Sequence, residues 1–200
     1  MANVVKTYGL KALYRMGGLP IPTQMMVALS GAAALFVGDP VIFAGDGNIA
    51  GLASIKKAVG TATTPSANLV GVVQGFVSLG PDSLVTHGGA TSNERRVIVA
   101  MGYADVVFQI NAGNGTGLNS ADIGSNFDMV ETAGDTLTGR SNWQIDDGTT
   151  GTGTDNQLRL IGFVNRPDNA QAATGTDTDN IACKVVFLES GIASLAGAGI

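Results

Sequence analysis

Residues 94–169 read ERRVIVAMGYADVVFQINAGNGTGLNSADIGSNFDMVETAGDTLTGRSNWQIDDGTTGTGTDNQLRLIGFVNRPDN. Short β-type runs at Val97–Met101, Val106–Ile110 and Leu158–Val164 alternate with long connections of Gly, Ser, Thr, Asn and Asp. Alternation of apolar and other residues, as in Val97/Val99/Met101, marks half-buried strands. The stretch has no His, Cys or Lys, so the usual general bases, thiol nucleophiles and metal ligands are missing from its most distinctive part. It predicts a β scaffold whose product is surface.

Composition extends that reading to the whole chain. With 29 Gly among 200 residues, long helices are disfavoured, since each interior Gly costs about 1 kcal/mol in a helix. Abundant turn residues with a 44% hydrophobic content fit an all-β chain with a real core. Charged residues are only 14%, where soluble domains average about 25%. Such a surface suits a protein partly covered in an assembly.

The net charge of −5 is unevenly spread. Lys6, Lys11 and Arg15 precede the first carboxylate, Asp39, whereas acids outnumber Arg140, Arg159 and Arg166 between positions 101 and 180. A basic leading arm and an acidic body suit complementary patches on a protein partner. General nucleic-acid binding needs a basic face and is not expected.

The predicted fold is mainly β: an extended N-terminal arm (1–38), a small β-meander lobe (39–90), a second antiparallel barrel or sandwich lobe (91–190) and a C-terminal tail (191–200). In the arm, Asn3–Tyr8 is a candidate short strand, and Gly17-Gly18-Leu19-Pro20-Ile21-Pro22 breaks regular structure. The apolar run Met25–Val37 imitates a secretory core but ends on bulky Leu35, Phe36 and Val37. It falls short of the roughly 20 residues of a membrane span, so it is read as a first buried strand. The meander takes Val41–Ala44, Ile49–Val59 and Leu69–Val77. The second lobe takes Arg95–Met101, Tyr103–Ile110, Phe127–Val130, Leu158–Asn165 and Ile181–Glu189, with 111–126 and 146–156 as long loops. Gly75-Phe76-Val77 before Pro81-Asp82 echoes Gly162-Phe163-Val164 before Pro167-Asp168. Two short matches fit convergent hairpin chemistry as well as duplication.

No catalytic, cofactor-binding or metal-ligating residue is predicted. His87 sits in a Thr86-His87-Gly88-Gly89 turn with no nucleophile elbow beside it. Cys183 lies in an apolar run and reads as a small strand residue. One His and one Cys cannot furnish a zinc site. Gly113-Asn114-Gly115-Thr116-Gly117 lacks the Gly-Lys-Ser/Thr ending of a phosphate loop. Asp146-Asp147 and Asp177-Thr178-Asp179 lack the spacing of a calcium loop. With Trp143 as the single Trp, sugar-stacking platforms are few.

Several landmarks resemble the decoration (cement) proteins on the heads of tailed bacteriophages. They are Arg95–Ala100, Val107–Ile110, Ala121-Asp122-Ile123-Gly124 with Asn126, Thr138-Gly139-Arg140-Ser141, and Leu160–Asn169. The similarity covers the second half of the chain and reaches the first third only in style. It implies a non-enzymatic virion protein on the outer surface of the capsid. Its partners would be the major capsid protein and copies of itself, with no cofactor, specific nucleic acid or membrane. A tail-tube or head-fibre protein is the alternative within the virion, and a carbohydrate-binding β protein the alternative outside it.

Overall fold

The computed structural model describes residues 8–28, 33–47, 51–59, 68–77, 95–113, 117–151, 156–167, 169 and 180–192. They form eleven strands and one 3-10 turn, Ser120–Asp122, so the fold is mainly β. In chain order the strands are β1 Lys11–Arg15, β2 Thr23–Ala28, β3 Pro40–Gly47, β4 Ala53–Lys57, β5 Leu69–Phe76, β6 Arg95–Met101, β7 Val106–Gly113, β8 Asn126–Val130, β9 Gln144–Gly151, β10 Leu158–Phe163 and β11 Ala182–Phe187.

β2-β4-β3-β5-β6 close into a barrel. The other strands form a six-stranded sheet, β1-β7-β11-β10-β8-β9, in which β7 also pairs with β9. That last pairing closes β7 to β11 into a ring, with β1 added outside it. Both rings follow one plan. The first and third strands of each (β2 and β4, β7 and β9) run parallel, and every other neighbour is antiparallel.

The registers also coincide. Met26 faces Val97 as Ile110 faces Cys183. Val27 faces Ser54 as Asn111 faces Gln144. Phe43 faces Ile55 as Met129 faces Ile145, and Val41 faces Gly71 as Phe127 faces Leu158. Val73 faces Val99 as Leu160 faces Val185, and both strands then bulge by one residue before a Gly-Phe pair. One alignment satisfies all five interfaces. The chain is therefore one barrel built twice, and the Gly-Phe echo marks the same corner in each. A bulge at such a corner bends the strand and helps a small sheet to close.

Core positions follow the same alignment. Met26, Val41, Ile55, Val73, Val97 and Val99 fill the first barrel; their counterparts Ile110, Phe127, Ile145, Leu160, Cys183 and Val185 fill the second, all buried. Each large apolar side chain so placed stabilises the fold by about 1.5–3 kcal/mol. Leu69, Val72 and Ala100 of the first barrel belong to the apolar cluster of the second, beside the stacked Phe108 and Phe187 rings, whose centroids are 4.7 Å apart. Hydrogen bonds from Leu69 to Glu189 and from Gly191 back to Leu69 stitch the same contact.

The boundaries differ from the sequence expectation in three places. Residues 11–15 and 23–28, expected in a separate arm, are strands of the two sheets, and Leu10 is buried. The Gly-Gly-Leu-Pro break is where the chain crosses from one sheet to the other, with Gly17 and Gly18 in left-handed backbone. β6, expected in the second lobe, closes the first barrel, so the repeats meet at 102–105 rather than at 90/91. The long polar stretch from 77 to 94 reads as a boundary, but it joins two strands of one barrel. Finally, 144–151, read largely as loop, is strand β9. Its carboxylates accept from backbone donors: Asp147 from the Gly117 N–H at 2.7 Å and Asp146 from the Gly148 N–H at 3.2 Å. The Asn3–Tyr8 strand (save its last residue) and the 193–200 tail lie outside the described residues.

Candidate functional site

The sequence-level candidates for chemistry separate from one another. Cys183 points into the second barrel where Val97 sits in the first, and burial pushes its thiol up, far from any thiolate. Trp143 is buried and offers no exposed stacking face. Asp146 and Asp147 belong to β9, while His87, Asn114–Thr116 and Asp177–Asp179 lie outside the described residues. Among the described residues, no group of three or more His, Cys, Asp or Glu side chains could hold a metal ion.

The structure assembles something else, on a face where the two barrels meet. Tyr8, Leu10 and Lys11 come from the start of the chain, Val37 from the approach to β3, Val73 and Gln74 from β5, Gln109 from β7, and Arg140 and Arg166 from turns of the second barrel. Together they line a cleft of about 450 Å³. Its charged lining is wholly basic, in a chain of net charge −5. Lys11 is placed there because it pairs with Gln109 across β1 and β7. Arg140 lies over the Tyr8 ring at 4.9 Å from its centroid, an attraction of about 0.5–1 kcal/mol at a partly exposed site. This arrangement can accept a carboxylate of a partner, since guanidinium groups bind carboxylates in a planar fork. Arg140 and Arg166 are distant in sequence, and only the fold joins them to Lys11.

Arg140 closes a rigid turn. Asp135 accepts hydrogen bonds from the Leu137 N–H at 2.8 Å and the Thr138 hydroxyl at 2.7 Å. Those bonds, the Thr138 hydroxyl first, hold its carboxyl below the usual range. The Asp135 N–H donates to the Arg140 carbonyl, the Gly139 N–H donates back to the Asp135 carbonyl, and the Val37 N–H ties the turn to the first barrel through the Gly139 carbonyl. At the tip stands Leu137, 88% exposed. A leucine held outward by a pre-ordered loop is suited to enter a partner's pocket, because little entropy is lost when it docks. The 138–141 landmark holds only the closing part of this turn, without Asp135 and the apolar tip.

A buried carboxylate lies under the same face. Gly38, in left-handed backbone at φ 98°, bends the chain so that Asp39 turns inward; a Cβ there would meet the Tyr8 carbonyl oxygen at 2.4 Å. Asp39 accepts from the Phe36 N–H at 2.8 Å and lies 4.0 Å from the Lys57 ammonium, which pairs more closely with Glu131 at 2.6 Å. Burial raises the Asp39 carboxyl to about 6 against the lowering by Lys57 and by the Ser141 and Phe36 hydrogen bonds. Removal from water outweighs the cation because Lys57 is shared. In the sequence Asp39 reads only as part of a Gly-Asp-Pro turn.

No family model, curated protein or solved structure matches this chain.

Proposed function

We propose that this protein is a structural component of a phage particle that decorates the outer surface of the head and stabilises it by bridging neighbouring major capsid protein subunits. The observation that carries the reading is the Leu137 turn: an apolar knob beside a basic cleft to which three of the stretches that resemble decoration proteins contribute Gln109, Arg140 and Arg166. The low charge content supports it further, since a chain with 14% charged residues has surface suited to being covered. The mechanism is mechanical. Each copy adds buried area where coat subunits meet, and a ligand that binds only the intact lattice stabilises it by mass action.

The test uses shells lacking the protein. Adding it should raise the shell melting temperature, and moderate salt should leave it bound, because screening acts mainly on exposed charge pairs. Leu137→Ser should melt like the parent protein yet bind shells roughly 10- to 100-fold more weakly, the equivalent of losing about 1.5–3 kcal/mol of leucine burial. Equal melting of bare and decorated shells rejects the stabilising role. Unchanged binding by Leu137→Ser rejects the knob.

A further inference from the structure

Two copies of one barrel can be compared strand by strand, and they differ at one edge. In the second barrel, β7 pairs along one edge with β11. Its other edge is divided: β9 takes Asn111–Gly113, and β1 takes Val106–Gln109. The counterpart strand in the first barrel is β2. It pairs with β6 from Thr23 to Ala28, and on its other side with β4 at Val27 and Ala28. Among the described residues no strand pairs with Thr23–Met26 on that side. The shared register places Met25 where Gln109 sits and Gln24 where Phe108 sits, so this is the position that β1 fills in the second barrel.

The backbone groups at this edge can be assigned. The Met101 N–H donates to the Pro22 carbonyl. Hydrogen-bonded pairs alternate in an antiparallel ladder, so Gln24 and Met26 also bond toward β6. Thr23 and Met25 therefore direct their N–H and C=O groups to the open side. The side chains differ as well. Met25 and its cross-strand neighbour Ile98 form an apolar pair on the outer face, 42% and 39% exposed. Their counterparts are polar Gln109 and Lys184. An open edge beside exposed apolar side chains is the arrangement that strand-adding partners use.

We propose that the Thr23–Met26 edge is a strand-addition site for an extended segment of a different protein, apolar at alternate positions and acidic between them. The acidic character follows from the surroundings. β2, β4 and β6 carry Lys56, Arg95 and Arg96 and no carboxylate, while Lys57 of β4 is already held by Glu131; Arg95 and Arg96 face Ala28 and Val27 across the ladder, and Lys56 and Arg96 are exposed. A second copy's β1 is the wrong occupant: it carries Lys11 and Arg15 and is already paired with β7. The inference rests on the duplication and stands apart from the proposed role on a capsid.

The probe is a capped hexapeptide alternating Val and Glu, with a Val and Lys version for comparison. Titration into the full chain, followed by amide hydrogen exchange, should slow exchange at Thr23 and Met25. The Glu peptide should bind at least roughly tenfold more tightly than the Lys peptide. Met25→Pro removes an outward N–H without touching the β2–β6 ladder, as proline is tolerated on edges, and should abolish the protection. Met25→Glu keeps the backbone donor and should weaken the Glu peptide by repulsion, which covers the case in which the proline variant misfolds. No protection at Thr23 and Met25 at millimolar peptide overturns the site. So does equal binding by Met25→Glu. Self-association that protects these amides without peptide overturns the choice of occupant.

Discussion

Asp39→Asn should flatten the pH dependence of stability between pH 4 and 7. The carboxyl has a folded value of about 6 against an ordinary 3.8. Between those values the folded state holds a proton that the unfolded state has released, so stability falls as pH rises through the window. The favourable contribution is complete below pH 3.8 and gone above about 6. Two units at about 1.4 kcal/mol each give about 3 kcal/mol. Asparagine keeps an oxygen for the Phe36 N–H and directs its amide toward Ser141, and Lys57 retains Glu131. It cannot titrate. Urea denaturation of parent and variant at several pH values isolates this group, because other carboxylates contribute equally to both chains. The variant-minus-parent difference should shift by about 3 kcal/mol in the variant's favour from pH 4 to pH 7. In thermal scans this is roughly 6–12 °C for a chain of this size. A constant difference across the range, or a shift of opposite sign, refutes the argument that burial outweighs Lys57.

Cys183→Val should change stability by no more than about 1.5 kcal/mol in urea, since valine occupies the matching place in the first barrel; combined with His87→Ala, it should leave shell binding unaltered. Two truncations, one of residues 2–7 and one of residues 2–20, isolate the contribution of β1. Removing 2–20 also deletes β1 and the buried Leu10 and should lower stability by at least the ~1.5–3 kcal/mol of that one side chain; equal melting of the two truncations would show that β1 adds nothing to the second barrel.

What was legible in the sequence was whatever the backbone enforces locally. Val97 and Val99 alternate with exposed Arg96 and Ile98 because only one face of that part of β6 is buried, and the Gly-Asp-Pro turn begins β3 where expected. β9 was hidden because Asp146, Asp147 and Gly148 have poor strand propensity; its pairing with β7 and β8 overrides that preference, and the carboxylates find backbone donors. β1 was hidden for a different reason. Lys11–Arg15 alternates weakly, and its strand character comes from the open half of β7, some ninety positions away, an edge no local window contains. The cleft shares that origin, since Lys11, Arg140 and Arg166 meet only through the β1–β7 pairing and the second barrel's turns.

The repeat is nearly silent in the sequence because a barrel interior fixes burial far more tightly than identity. Met26 and Ile110, Val41 and Phe127, and Val97 and Cys183 fill the same places with different shapes, which a core accepts when total volume is kept. The corner after the bulge is less tolerant, and there Gly-Phe survives in both copies. Positions outside the apolar core are freer still, and some have diverged in sign. Lys56 and Lys57 of β4 stand where Asp146 and Asp147 stand in β9. Met25 and Ile98 stand where Gln109 and Lys184 stand. The first barrel therefore presents exposed Lys56, Met25 and Ile98 where the second has buried Asp146 and polar Gln109 and Lys184. An identical pair of barrels would offer two equivalent surfaces to one kind of neighbour. This pair offers two unlike surfaces joined through a shared apolar contact, and the proposed bridging of neighbouring subunits would draw on that difference.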